Sequence, residues 1–106
     1  MALGIYHEFP MLPGRSQAEC FAAAFDIVDA SEEYGLDVMW LAELHFAPQR
    51  ALCASPLILG TAIAARTERI KIGTSVQVLP LANPLRIAEE AATLDHVSKP
   101  DLRRRT

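Results

Sequence analysis

Cysteine is scarce: Cys20 and Cys53 are too few and too far apart for a disulfide framework or a zinc site, and both sit among apolar neighbours, as reduced packing residues do. No glycine-rich loop of the kind that cradles phosphates is present. His7, His45 and His96 are scattered along the chain without other ligands at metal spacing, so no metal is expected. Long apolar runs are missing too. The longest uncharged stretch, 51–65, contains Ser55-Pro56 and falls short of the roughly 20 residues that span a bilayer. The N-terminus lacks the basic-then-apolar order of a secretory signal, which leads to the expectation of a soluble, cytoplasmic protein.

Positive charge is sparse over most of the chain. Residues 1–98 carry six Lys or Arg against twelve Asp or Glu, a net of −6, while residues 99–106 carry four against one, a net of +3. An acidic body lacks the basic face that displaces counterions from nucleic acid, so no nucleic-acid partner is expected. Arg103, Arg104 and Arg105 read as solvated terminal charge, with a phosphate contact as the alternative.

What is present is an apolar fraction of 51% in 106 residues, enough for one modest core and one domain. A short apolar and aromatic run at 3–9 predicts a first strand, and two prolines and a glycine at 10–15 predict a loop. Ser16 and Glu19 have the spacing of a capping box, in which the hydroxyl accepts from an orphan helix N–H and the carboxylate reaches back. Phe21, Ala24, Phe25, Val28 and Ser31 follow at helical spacing, and Gly35 suits the left-handed position that ends a helix. The unbroken apolar run 38–42 predicts a strand covered on both faces. Ser55-Pro56, a polar cap followed by proline at the first helical position, opens a second helix that runs toward Arg66-Thr67. Alternation over 70–79 predicts a third strand, and Asn83-Pro84 opens a third helix ending near Ser98. The order β-α-β-α-β-α implies a parallel sheet with right-handed crossovers, either doubly wound or part of a barrel.

Two places carry chemistry. Glu43 and His45, at the end of the second strand, share a face by period-two alternation. A carboxylate and an imidazole there can do acid–base work, orient a polar cofactor, or form a local polar pair. Small residues at 73–75 in the third strand suit either a flat group close to the backbone or the taper of a barrel interior. Arg86 and Glu90 stand four apart on the third helix and can pair on its surface.

Trp40-Leu41-Ala42-Glu43-Leu44-His45-Phe46 resembles the strand-two motif of the bacterial luciferase-like flavin monooxygenases. Gly73-Thr74, Val78-Leu79-Pro80, Asn83-Pro84, Arg86, Ala88-Glu89 and Leu94-Asp95-His96-Val97-Ser98 are similar to that family's third strand and third helix. The resemblance covers essentially residues 2–98. It implies an α/β fold, the first three β/α units of an incomplete TIM (β/α)8 barrel. It also implies oxidation of a small organic substrate with reduced FMN and O₂, or hydride transfer with a deazaflavin as in related members. The matching positions make His45 and Glu43 catalytic candidates and Thr74, Ser75, Val76 and Glu89 cofactor-binding candidates, with a non-proline cis peptide expected at Ser75-Val76. The family is dimeric as a rule, which implies a homodimer through the second and third helices. The small residues Ala54, Gly60, Ala62, Ala64, Ala65, Ala88, Ala91 and Ala92 would then either form that contact or cover the sheet.

Two features depart from the pattern. Leu44 stands where luciferase proper has its catalytic histidine, and leucine cannot move a proton, so a non-luminescent oxidation is expected. The segment 99–106, with Pro100 and three arginines, does not continue into the family's fourth strand, and reads as a divergent basic tail left by truncation or a change of frame. Three units without the later phosphate-binding loops are expected to bind FMN weakly or not at all and to lack turnover. A non-catalytic assembly subunit is the competing expectation.

Overall fold

The computed structural model describes residues 1–98, and the basic tail lies outside the described residues. The chain alternates strand and helix throughout: β1 (Gly4–His7), α1 (Gln17–Glu33), β2 (Val38–Leu41), α2 (Pro56–Arg66), β3 (Lys71–Thr74) and α3 (Pro84–Ser98), with a 3₁₀ turn at Leu79–Leu81 before α3. The local signals at α1 hold. Ser16 Oγ accepts from the Glu19 N–H at 3.1 Å, and Glu19 Oε1 accepts from the Ser16 N–H at 3.2 Å, a complete capping box. Gly35 takes φ +83°, the left-handed conformation in which a side chain would be strained. At α2 the expected cap is only half made: Pro56 opens the helix, but the Ser55 side chain makes no capping bond. At α3 the side chain does engage, with Asn83 Oδ1 accepting from the Leu85 N–H at 2.9 Å.

The three strands form one parallel sheet in the order β1-β2-β3, with Tyr6 opposite Trp40 opposite Gly73. Sequential parallel strands joined by right-handed crossovers put every helix on the same face, whereas a doubly wound sheet reverses its strand order and covers both. Burial agrees with the first arrangement. Met39 and Leu41 are completely buried beneath the helices, while Tyr6 and Trp40, on the other face, are 57% and 43% exposed. The core lies between helices and sheet: Ala24 and Val28 from α1, Met39 and Leu41 from β2, Ile63 from α2, with Phe9, Cys53 and Ile70 from the connections. Cys20 and Cys53 are both free thiols and both buried.

Gly60 sets how closely α2 approaches its neighbours, since a Cβ there would meet Ile72 Cγ2 and Leu94 Cδ2 at 3.2 Å each. Charged residues pin the helix ends. Arg66 makes two bonds to Asp29, at 2.7 and 2.6 Å, and lies over the Phe25 ring. The Glu32 carboxylate accepts from the backbone N–H groups of Glu68, Arg69 and Ile70, so one side chain of α1 fixes the turn into β3.

The third strand is shorter than its pattern. Alternation continues to residue 79, but the ladder ends at Thr74, because β2 ends at Leu41 and a strand can pair only as far as its neighbour runs. The Ser75 N–H takes the Leu41 carbonyl at 2.7 Å as the last rung. Beyond that point the β2 chain turns toward the following loop, where the Leu44 N–H bonds the Cys53 carbonyl at 2.9 Å.

Candidate functional site

Glu43 and His45 follow β2 at the C-terminal edge of the sheet, and their side chains meet: His45 Nε2 lies 2.5 Å from Glu43 Oε2. The other carboxylate oxygen, Oε1, accepts from the Val78 N–H at 3.1 Å, which ties the end of β2 to the segment after β3. The Glu43 side chain is only 4% exposed and that of His45 is 26% exposed, so the acid is enclosed and the imidazole is the member that meets solvent. Cys53 lies near enough to feel the pair. Burial, reinforced by the negative charge of Glu43, pushes its thiol up to about 12.

The pair does not point into the open face of the sheet. It lines a hollow of about 280 Å³ together with Ala54 and Ser55 at the start of α2 and Ala82, Asn83, Arg86, Ile87 and Glu90 at the start of α3. Alternation explains the direction, because residues 39, 41 and 43 project toward the helices while Trp40 projects the other way. Arg86 Nε donates to Glu90 Oε1 at 3.1 Å, so an ion pair borders the same hollow. Gln77 also lines it, and its buried Oε1 meets no donor among the described residues.

The remaining candidates disperse. Thr74 ends β3 on the helix side and lines a separate hollow between β3, α2 and α3. Ser75 and Val76 are exposed and joined by a cis peptide bond, with Val76 67% exposed. Glu89 is exposed on α3 and does not line the hollow, whereas Glu90, one residue on, does. Sequence reasoning passed over Gln77 and gave Arg86 and Glu90 only a surface role. Their helical spacing of four was the available signal, but nothing along the chain says that α3 begins beside the end of β2.

The open face carries its own construction. The Trp40 indole lies across the sheet over two glycines: a Cβ on Gly4 would come within 3.1 Å of Trp40 Nε1, and one on Gly73 within 2.4 Å of Trp40 Cζ3. The small residue expected near a flat group is therefore there, and the flat group is the chain's own tryptophan. His7, at the end of β1, is buried against Phe9 with ring centroids 4.8 Å apart. Its Nε2 has no partner among the described residues, and burial lowers its pKa against the opposing pull of Glu8.

A family described as luciferase-like monooxygenase matches residues 1–100. The alkanal monooxygenase alpha chain of Photorhabdus luminescens is 36% identical over 87 residues, which are 82% of this chain and 24% of that protein. Among solved structures, apo-MsnO8 superposes with a TM-score of 0.85 at 27% identity, over 92% of this chain and 29% of its own. The oxygenating constituent of 3,6-diketocamphane monooxygenase from the CAM plasmid of Pseudomonas putida, solved in complex with FMN, gives a TM-score of 0.82 at 25% identity, over 94% of this chain and 27% of its own. The chain thus spans about a quarter of the length of these relatives.

Proposed function

Because the chain belongs to the luciferase-like monooxygenase family, we propose that its β/α units are the N-terminal part of a flavin-dependent monooxygenase barrel that oxidises a small organic substrate with reduced FMN and O₂. The observation that carries this reading is the gathering of polar groups at the C-terminal edge of a singly wound parallel sheet, the edge where barrels of this kind assemble their sites. The FMN-bound relative supports FMN as the cofactor.

The residues fit a flavin in kind. Ser75 and Val76 offer an exposed backbone and an apolar side chain to a flat ring, Thr74 precedes them, and the unpartnered Gln77 Oε1 awaits a donor such as a ring N–H. When bound, reduced FMN supplies the electrons and the oxygen-reactive ring that the oxidation needs. His45 is the residue able to exchange a proton, since it is partly exposed, and Glu43 orients it. Arg86 and Glu90, rather than Glu89, represent α3 at this edge. Leu44 moves no proton, which favours a non-luminescent oxidation.

The test is a titration of the 106-residue chain with FMN and reduced FMN, beside a chimera carrying residues 1–98 in place of the matching segment of a full-length relative. The chain alone is expected to bind more weakly than about 10 μM, and the chimera to hold FMN and consume reduced FMN with O₂. A folded chimera that neither binds flavin nor consumes oxygen refutes the reading. We also propose a homodimer through α2 and α3. Gly60 and Ala64 are buried within the chain, but Ala54, Ala62, Ala65, Ala88, Ala91 and Ala92 remain exposed, as do Ile58 and Leu85 at 70% and 71%. Light scattering that returns a monomer at high concentration would count against that dimer.

A further inference from the structure

We infer that Glu43 is a positioning residue, which holds the segment 75–78 in register through the Val78 N–H and does not itself exchange protons with substrate. Three observations carry this. The β3 ladder ends with the Ser75 N–H on the Leu41 carbonyl, so the chain beyond has no strand partner from β2. Glu43 Oε1 supplies one, accepting from Val78 at 3.1 Å, three residues past the last rung. The carboxylate is enclosed, with its second oxygen committed to His45, so it has no free approach to a substrate.

A backbone N–H bonded to a carboxylate is among the stronger single hydrogen bonds available to a chain, and here it spans from residue 43 to residue 78. It fixes the far end of the loop whose near end carries Ser75 and Val76. Under the flavin reading, on which the functional consequence rests, those are the residues proposed to meet the cofactor. Glu43 would then act on the flavin through the main chain, besides orienting His45.

The two roles predict opposite orders of tolerance. An acid–base residue is better replaced by Asp, which keeps the carboxylate, than by Gln, which does not. A clamp is better replaced by Gln, which keeps both the reach and the acceptor oxygen, than by Asp, which is one methylene shorter. The experiment is amide hydrogen exchange on the full 106-residue chain as Glu43→Gln, Glu43→Asp and Glu43→Ala, with the unfolding midpoint measured alongside. Val78 protection is expected to fall about tenfold or more in the Asp and Ala variants and to stay within about threefold in Gln, with the Met39 and Leu41 amides unchanged in Gln and Asp. Val78 protection that is flat across all three variants, or lost in Gln as fully as in Ala, overturns the clamp. FMN added to about 1 mM then separates this proposal from the reading beneath it. If the exchange order holds but the Val76 amide does not respond to FMN in the chimera, the clamp stands and the placement of Ser75 and Val76 against the flavin falls.

Discussion

Replacing Gly73 by alanine puts a methyl group where the Trp40 ring already lies, 2.4 Å from Cζ3. The backbone itself raises no objection, since only Gly14 and Gly35 among the glycines hold positive φ, and a Gly→Ala change in permissive backbone stabilises by about 0.4–1 kcal/mol through the unfolded chain. The ring must therefore decide the sign. A tryptophan usually buries roughly 150–250 Å², and one pushed off its seat by half gives up on the order of 100 Å², about 2.5 kcal/mol at 25 cal/mol/Å². The net loss is about 1.5–2 kcal/mol, within the range found for overpacked sites, and lowers the melting temperature by roughly 6–16 °C. Trp40 is the only tryptophan, so its emission reports the displacement directly and is expected to shift to the red. Circular dichroism follows the Gly73→Ala, Trp40→Ala and double variants. In the Trp40→Ala background the same alanine is expected to be neutral or stabilising, which makes the coupling energy large. An unchanged emission maximum together with an unchanged melting point in Gly73→Ala would refute the assignment of this glycine to the indole.

Acid should weaken the fold in a defined window. Glu19, Asp29 and Glu32 all titrate below their ordinary values: Glu19 through its bond to the Ser16 backbone, Asp29 through Arg66, and Glu32 because desolvation, its largest single influence and an upward one, is outweighed by its three backbone donors together with the Arg69 charge. Depressed carboxylates contribute stability above their unfolded values, near 3.8 for Asp and 4.5 for Glu, and lose it as pH falls through the folded ones. Urea midpoints should therefore be flat near neutrality and drop below about pH 4.5, with a shallower drop in Glu32→Gln; a midpoint independent of pH down to 3 would contradict this. Cys53, pushed up to about 12 by burial and then by Glu43, should resist a thiol reagent at pH 8 in the native chain and react at the rate of unfolding, as should the buried Cys20; immediate labelling of either would contradict their placement. Met39→Ala, in the fully buried centre of β2, should cost about 2–5 kcal/mol in chemical denaturation, and a loss below 1 kcal/mol would mean that the core closes elsewhere.

Local signals carried most of the architecture. The Ser16–Glu19 box, Gly35, Pro56 and Asn83-Pro84 each depend on neighbours within a few residues, and each marks a helix boundary that the fold keeps. The unbroken apolar run at β2 and the strand–helix alternation were enough for a parallel sheet. The Glu43–His45 contact was legible for the same reason, being two residues apart.

By itself, the chain determined which segments are strands and helices, because capping, proline and apolar periodicity act over one or two turns of backbone. Only the tertiary structure decided that the helices lie on one face, that β3 stops at Thr74 when β2 runs out, and that Glu43 turns toward α2 and α3 to hold Val78. It also seated Trp40 on Gly4 and Gly73 and brought Arg86, Glu90 and Gln77 to the edge where His45 stands. Those arrangements join residues about 30 to 45 positions apart. A hydrogen bond or a ring contact over that separation is set by where two elements come to rest, which no short-range pattern encodes.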